Sequence, residues 1–340
     1  MSAPANTRRI LVTGATGGLG QALVREALAR GAQVLASGRD PAAGARLEAL
    51  GVSFVRCDLA GPEADLAALV AGCDSVIHAA ALSASWGREA DFIAANVTAT
   101  LRLLDAARAA GVSRFVFVSS PSIFAGYRER IGIGEDDLPQ AAPLNAYART
   151  KLIAERMVLA ASHEGLATCA IRPRALVGEG DRVILPRLAA LARRPRMPLP
   201  GGGKALIELT DLRDAAWAIC EAEARLPAVA GCAINISGGQ PIAVRDLALR
   251  LAEGMGARPR PISIPLALAR PLARLAETLA RLTASPEEPV LTRYTLATLG
   301  YSQTFDLAPA RRLLGYTPRH DAIATLLAEA RRLAASGAAA

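Results

Sequence analysis

The sequence predicts an α/β protein built on a doubly wound parallel sheet, followed by a smaller, mostly helical C-terminal region. Short apolar runs alternate with helix-period stretches through the first half of the chain, and a glycine-rich turn follows the first run. Prolines cluster near 186–200 and 259–271, where this alternation is lost. Strict alternation of strand and helix indicates βαβ units and a parallel sheet covered on both faces.

The apolar runs predict the strands, because each is short and is bounded by Gly, Asp or Pro. In chain order the predicted strands are Arg9–Thr13, Gln33–Ser37, Ser53–Cys57, Ser75–Ala79, Arg114–Ser119, Ala167–Arg172 and, returning to the sheet, Gly231–Ser237. Apolar positions at helical spacing predict the helices Leu19–Arg30, Pro41–Leu50, Pro62–Ala71, Asp91–Ala110 and Asn145–His163.

These elements divide the chain into two regions and a tail. The sheet takes residues 1–175 with a returning segment near 205–237. Residues 176–204 and 238–330 form the region expected to bind substrate, and residues 331–340 are predicted to be a flexible tail.

Composition excludes several classes of protein. Hydrophobic residues make up 52% of the 340 positions and charged residues 21%, which excludes a disordered chain, a collagen-like repeat and a disulfide scaffold. No apolar run reaches the roughly 18 residues that a spanning helix needs, and the N-terminus lacks the apolar segment of a signal peptide. The five cysteines and three histidines lack metal-ligand spacing. We therefore expect a cytoplasmic protein with reduced cysteines and no metal.

The net charge of +8 carries little information about partners. The basic residues are spread along the chain without a dense run or interleaved aromatics, so we expect no nucleic-acid partner. Nearly all of them are arginines, and the two lysines, Lys151 and Lys204, therefore stand out.

A stripe of leucines in the second half allows two interpretations. Its members are Leu266, Leu268, Leu272, Leu275, Leu279 and Leu282. Packing over the substrate pocket as a lid is one interpretation, and contact with a membrane surface or lipid is the other.

The glycine-rich turn predicts a dinucleotide site and makes the sheet Rossmann-type. Its glycines fall at 14, 17 and 20, after the first strand and before the first helix. Such a turn lets the backbone approach a pyrophosphate, and the helix N-terminus then supplies free N–H groups. The residues of the turn expected to bind the cofactor are Gly14, Thr16, Gly17, Gly18, Leu19 and Gly20.

The end of the second strand favours NADP, with NAD left open. An acid at this position holds the ribose of NAD, whereas an arginine nearby accommodates the 2′-phosphate of NADP. Here the acid position holds Gly38, and Arg39 follows. The alternative is that Arg39 is solvated and Asp40 turns to the ribose. At the end of the third strand, Asp58 and the adjacent Leu59 are expected at the adenine.

Tyr147 and Lys151 form the pair that predicts catalysis. Their i, i+4 spacing places both side chains on one helix face. A phenol titrates near 10, and an adjacent ammonium together with a cationic nicotinamide ring is expected to lower that pKa, so that the tyrosine becomes a usable acid or base. Five tyrosines and two lysines in this chain would give only ~0.03 such pairs by chance.

With these motifs the chain resembles the extended short-chain dehydrogenase/reductases, the NAD-dependent epimerase/dehydratase superfamily, over about residues 8–330. The resemblance implies that Ser120 is the catalytic Ser/Thr, Tyr147 the acid/base, and Lys151 the residue that binds the nicotinamide ribose and tunes Tyr147. It also implies that Ala79, Ala80 and Ala81 line the cofactor and that Pro173 lies near the nicotinamide amide. A homodimer through the helices around 91–110 and 145–163 is a further implication.

Departures within the superfamily separate its branches. Ala175 stands where sugar-nucleotide epimerases usually carry an Asn, Lys204–Leu206 replaces their Arg-Asp-aromatic run, and Pro121–Ser122 replaces the Asp-Glu of dehydratases. By contrast, His78–Gly87, the Ser-Ser-Pro-Ser run at 119–122, Arg172–Arg174 and Leu291–Tyr294 resemble the 3β-hydroxysteroid dehydrogenase-like branch, which handles greasy substrates.

The resemblance therefore implies an NAD(P)-dependent oxidoreductase of the Ser-Tyr-Lys type. It would interconvert a ketone and a secondary alcohol on a hydrophobic small molecule, 3-oxoacyl or steroid-like. A nucleotide-sugar epimerase on the same fold is the first alternative, and an NADP-sensing protein without turnover is the second.

Overall fold

The computed structural model describes residues 8–163, 165–181, 183–283, 285 and 287–337. Strands in the first part of the chain are β1 Arg9–Thr13, β2 Gln33–Gly38, β3 Ser53–Arg56, β4 Ser75–His78, β5 Arg114–Val118, β6 Arg130–Ile133 and β7 Ala167–Pro173. The helices between them are α1 Gly18–Ala29, α2 Pro41–Glu48, α3 Leu66–Val70, α4 Glu89–Phe92, α5 Ala99–Ala109 and α6 Ala146–Ala160.

The second part of the chain adds shorter strands and more helices. The strands are β8 Leu176–Val177, β9 Arg196–Pro200, β10 Leu206–Ile207, β11 Thr210–Asp211, β12 Ala233–Ile236, β13 Ile242–Ala243, β14 Arg260–Ile264 and β15 Gln303–Phe305. The helices are α7 Ile184–Ala192, α8 Leu212–Ala224, α9 Leu226–Val229, α10 Val244–Gly254, α11 Leu266–Leu282, α12 Arg293–Gly300, α13 Ala308–Leu314 and α14 Ala322–Gly337.

Seven of these strands form one parallel sheet in the order β12-β7-β5-β4-β1-β2-β3. This arrangement confirms the predicted doubly wound fold, and β12 confirms the returning strand. The chain order reverses between β1 and β4, and in such sheets ligands bind outside the carboxyl ends of the strands at this point.

Two cores cover the faces of the sheet. On one face α1 and α8 pack through residues such as Leu23 and Ile219, and on the other α3, α5 and α6 pack through residues such as Leu103 and Val158. The sheet is therefore buried on both sides, which is why its strands read as nearly continuous apolar runs.

Several boundaries differ from the predicted ones. Helix α3 is shorter than predicted because Asp65 caps it, accepting from the N–H of Ala68 at 2.9 Å. The single helix predicted at 91–110 contains a π-helical turn, Ile93–Thr98, between α4 and α5. The tail predicted at 331–340 is helical through residue 337, where α14 ends. Ala330 of this helix is fully buried. Residues 338–340 lie outside the described residues.

The second part of the chain forms a core of its own, and its small sheets were not predicted. Strands β8 and β11, β9 and β14, β10 and β13, and β6 and β15 pair two by two. Helices α7, α10 and α14 pack against β9 through Leu185, Leu247, Leu326 and Met197. The predicted domain boundaries stay a prediction.

The lid interpretation of the leucine stripe is wrong. Five of its six leucines, at 268, 272, 275, 279 and 282, are more than half exposed, and none of the six lines the large cavity described below. The helix turns its alanines inward instead: Ala269 and Ala273 pack against Leu296 of α12. Small residues on this face allow α11 to approach α12 closely.

The remaining expectations about partners and location are untested. In the described part of the chain, no helix combines the length and the apolar character that crossing a bilayer requires. Exposed Ile93, Leu101 and Ile153 lie on the two helices expected to form a dimer, and the homodimer stays a prediction.

Candidate active site

One cavity of about 1270 Å³ opens at the carboxyl ends of the sheet strands, and every residue predicted for the site lines it. These residues are Gly14, Thr16, Gly17, Gly18, Leu19, Gly20, Arg39, Asp58, Leu59, Ala79, Ala80, Ala81, Ser120, Tyr147, Lys151 and Pro173. The structure therefore brings the predicted set together, while their individual roles stay predictions.

The glycine-rich end of the cavity is built from main chain. Gly14 has φ of 68°, and a Cβ on it would lie 2.7 Å from the amide nitrogen of Ala80. A Cβ on Gly20 would lie 2.1 Å from the carbonyl oxygen of Gly14. Helix α1 begins after Gly17, which has no side chain to cap the first-turn N–H groups. Such a cradle fits a dinucleotide pyrophosphate, because backbone can approach it and the helix dipole favours an anion.

The next segment shows how the ribose position is built. A Cβ on Gly38 would lie 2.6 Å from the side chain of Thr16, so Thr16 occupies the space that an acidic residue would need. Arg39 is exposed and lines the cavity. The carboxylate of Asp40 caps α2 instead, accepting from the N–H groups of Ala42 and Ala43 at 3.0 and 3.1 Å.

His78, at the end of β4, is fully buried and connects the elements beneath this part of the cavity. Its Nδ1 lies 2.7 Å from the Thr13 hydroxyl and its Nε2 lies 2.9 Å from the Thr100 hydroxyl. Burial, assisted by the charge of Lys151, lowers the pKa of His78 to about 3. The ring is therefore neutral, and it ties β1, β4 and α5 together.

Asn96 connects the loop after β4 to the helix that carries Tyr147. Its side-chain oxygen accepts from the N–H of Leu82 at 2.7 Å, and its amide donates to the Leu82 carbonyl and the Thr150 hydroxyl at 3.2 and 3.0 Å. Asn96 lies in the π-helical turn, a feature that is frequent at functional sites.

Helix α6 begins after Asn145, whose side chain caps the helix by accepting from the N–H of Ala148 at 2.9 Å. Tyr147 and Lys151 lie on this helix and line the cavity. Ser120 caps the short turn Pro121–Phe124, where its hydroxyl accepts from the N–H of Ser122 at 3.2 Å. A hydrogen bond also joins Ser120 to Tyr147.

Burial acts against the expected lowering of the Tyr147 pKa. Burial raises the pKa of Tyr147 to about 12, although the bond with Ser120 opposes the rise. Lys151 donates from Nζ to the Val118 carbonyl at 2.5 Å and lies 4.0 Å from the centroid of the Phe117 ring. Burial lowers the pKa of Lys151 to about 7. The two residues share a helix face, but the ammonium is turned to the strand, and desolvation dominates both pKa values.

The other end of the cavity belongs to the second part of the chain and is largely apolar. Its wall includes Leu188, Leu191, Pro198, Ile207, Val290, Leu291 and Leu299. Among the described residues, no cluster of three or more His, Cys, Asp or Glu is arranged to hold a metal ion.

Polar residues that sequence reasoning did not assign also line this cavity. The hydroxyl of Ser122 is buried without a hydrogen-bond partner among the described residues, and Tyr294 and Glu208 line the same walls. Arg187 joins two loops at the mouth, donating to the Ser85 hydroxyl and the Glu288 carboxylate at 2.6 and 2.7 Å. Ser122 and Tyr294 carried a signal, because they belong to the runs at 119–122 and 291–294 that resemble the 3β-hydroxysteroid dehydrogenase-like branch, whereas Glu208 and Arg187 carried none.

Comparison with known proteins confirms the family that the motifs suggested. Residues 10–237 match the model of the "NAD dependent epimerase/dehydratase family". The chain is 40% identical over 336 residues to the "2-alkyl-3-oxoalkanoate reductase" of Stenotrophomonas maltophilia (strain K279a), which covers 97% of this chain and 100% of that protein. It is 32% identical to the "3 beta-hydroxysteroid dehydrogenase/Delta 5-->4-isomerase" of Mycobacterium tuberculosis (strain ATCC 25618 / H37Rv), covering 91% and 86%.

Among solved structures, "MoeE5 in complex with UDP-glucose and NAD" is similar, with a TM-score of 0.73 and 29% sequence identity. The similarity covers 96% of this chain and 99% of that one. The match confirms the fold over the second part of the chain as well as over the sheet.

Lys151 predicts a proton uptake when the cofactor binds. With a pKa of about 7 the amine is mostly neutral at pH 8, and an anionic dinucleotide that accepts its hydrogen bonds favours the ammonium. We expect uptake of about one proton at pH 8 and almost none at pH 6, where the ammonium is already formed. Calorimetric titration with NADPH in buffers of different ionisation enthalpy measures this number. The same uptake in Lys151→Met would contradict the assignment.

Proposed function

The chain belongs to the NAD-dependent epimerase/dehydratase family, and we propose that it is an NAD(P)-dependent oxidoreductase that interconverts a ketone and a secondary alcohol on a hydrophobic substrate. The observation that carries the proposal is a single cavity in which Ser120, Tyr147 and Lys151 lie between a main-chain cradle and an apolar wall. The two relatives described above, whose names specify an alkanoate reductase and a steroid dehydrogenase, support it.

A bound dinucleotide would supply the hydride for ketone reduction and would accept it in the reverse direction. Ser120 donates a hydrogen bond to the carbonyl oxygen, and Tyr147 donates its proton to the same oxygen as the alkoxide forms. A phenol with a raised pKa stays protonated at neutral pH, which suits the donor role. The hydrogen bond between Ser120 and Tyr147 places both hydroxyls at one point of the cavity.

Lys151 has a positioning role in this mechanism. Its amine reaches the cavity from α6, one helical turn beyond Tyr147, and it is held at the Val118 carbonyl before the cofactor binds. When charged, it favours the phenolate that forms as Tyr147 gives up its proton. Arginine would fit poorly here, because its planar fork cannot act as a compact point charge.

We propose that NADP is the preferred dinucleotide. Three features support this preference: Arg39 lines the cavity, Thr16 fills the space of an acidic residue at position 38, and Asp40 is engaged at the start of α2. A 2′-phosphate beside Arg39 would form a charge-assisted hydrogen bond.

Replacing Tyr147 with Phe removes the proton donor and leaves the cradle intact. We expect Tyr147→Phe to lower turnover by about 10²–10⁴ while NADPH affinity stays nearly unchanged. NADPH oxidation against a panel of 2-alkyl-3-oxo acids, 3-ketosteroids and small ketones measures the first, and fluorescence titration measures the second. Retention of most activity by the variant would reject the mechanism. Thermal protection by a UDP-sugar, with no ketone reduced, would favour the epimerase, and tight NADPH binding with no turnover at all would favour the sensor.

Arg39→Ala tests the cofactor preference. A hydrogen bond to a charged group contributes about 1.5–3 kcal/mol, so we expect the dissociation constant for NADPH to rise about 10- to 100-fold and that for NADH to stay unchanged. Arg46→Ala, which removes an exposed arginine from the far end of α2, is the matched control. An equal loss of NADPH and NADH affinity would show that Arg39 does not read the 2′-phosphate.

A further inference from the structure

Arg174 has a backbone that is fixed on both sides. It follows Pro173 at the end of β7, and its N–H donates to the Ile236 carbonyl at 2.8 Å. Its own carbonyl accepts a hydrogen bond from the Thr210 hydroxyl. The point from which the side chain leaves the main chain is therefore set by the sheet and by β11, and the residue lines the cavity.

The guanidinium of Arg174 is buried without a charge partner among the residues that the structure describes. The residue is only 7% exposed, and its Nε has no hydrogen-bond partner within the same part of the chain. No carboxylate of the described residues lies within 4.0 Å of it, and the centroid of the Phe305 ring, at 6.0 Å, is near the outer limit for a cation–π contact. A buried charge is strongly unfavourable unless it is paired.

The other buried arginine of the same strand shows the usual solution. Arg172, two residues earlier, donates to both carboxylate oxygens of Glu155 at 2.8 and 2.6 Å. Arg114, which also has an unsatisfied nitrogen, lies 3.7 Å from the carboxylate of Glu223. Arg174 differs from both because it lines the cavity and forms no ion pair with any described carboxylate.

The acid that influences Arg174 is engaged elsewhere. Glu208 accepts from the Ser237 hydroxyl at 2.7 Å and from the Phe305 N–H at 3.2 Å. Burial lowers the pKa of Arg174, and the charge of Glu208 opposes this effect. Arg174 and Tyr147 line the same cavity.

We propose that Arg174 binds the carboxylate of the substrate, which makes the substrate a 3-oxo acid with apolar chains rather than a neutral ketone. This inference rests on the proposed function. In a 3-oxo acid one carbon separates the ketone from the carboxylate, so Tyr147 and Arg174 can hold the two groups at once. The apolar wall that includes Leu188 and Leu191 takes the chains. A guanidinium binds a carboxylate in a bidentate fashion, which also fixes the face of the ketone.

The decisive experiment compares an acid with its ester. We expect the wild-type protein to reduce a 2-alkyl-3-oxo acid with a KM about 10- to 100-fold below that of the methyl ester. Arg174→Met should raise the KM for the acid by that factor and leave the ester unchanged. Loss of the acid preference in Arg187→Met but not in Arg174→Met would overturn the assignment, as would equal KM values for acid and ester in the wild type.

A binding measurement separates this inference from the proposed function. Decanoate should raise the Tm of the wild-type protein, whereas decanol should not, and Arg174→Met should lose the response. Because it removes an unpaired buried charge, Arg174→Met should itself melt no lower than the wild type. If no ketone is reduced but decanoate still protects, the proposed function fails and the carboxylate site stands. Protection by UDP in place of decanoate would assign the guanidinium to a diphosphate and overturn the proposal.

Discussion

The close main-chain contact at Gly14 is the constraint on which the site depends. A side chain there would collide with the Ala80 amide, and one at Gly20 would collide with Gly14 itself, so β1, β4 and α1 meet without side chains between them. This contact sets the loop after β4, and Asn96 transmits its position to α6 through Leu82 and Thr150. The position of Tyr147 thus depends on backbone far from it in sequence.

The sequence predicts the sheet well because its strands are mostly buried on both faces, with the edge strand β3 as the exception. Such strands read as apolar runs, and all seven were found within one or two residues. The small sheets could not be predicted, since β8, β10, β11 and β13 have two residues each and pair with partners distant in sequence. Periodicity also gave a wrong prediction for α11, because hydrophobicity alone does not determine which helix face packs against the protein. The alanines of α11 are buried and its leucines are exposed.

For the site, motifs identified the main-chain cradle and the catalytic helix, but not the apolar end. Arg174 and Tyr294 lie in runs that carry the resemblance, but the resemblance gives neither residue a role, and in a chain so rich in arginine a single arginine does not stand out. The direction in which the pKa of Tyr147 shifts could not be predicted from the sequence either. Spacing along a helix states that two side chains share a face, whereas their pKa values depend on how much water each has lost and on where the lysine points.

The cavity joins two regions with different chemistry, and the reaction has to occur where they meet. The sheet end offers free N–H groups and glycines, which suit phosphates and sugars, while the second part of the chain offers leucines and prolines, which exclude water. Water exclusion strengthens each hydrogen bond at Ser120 and Tyr147, but it also makes any charge there costly. The free-energy cost of a buried guanidinium at this boundary is offset only when a bound anion forms an ion pair with it. Arg174 therefore serves selectivity rather than folding: the fold gives up stability at this point in order to distinguish an acid from a neutral ketone.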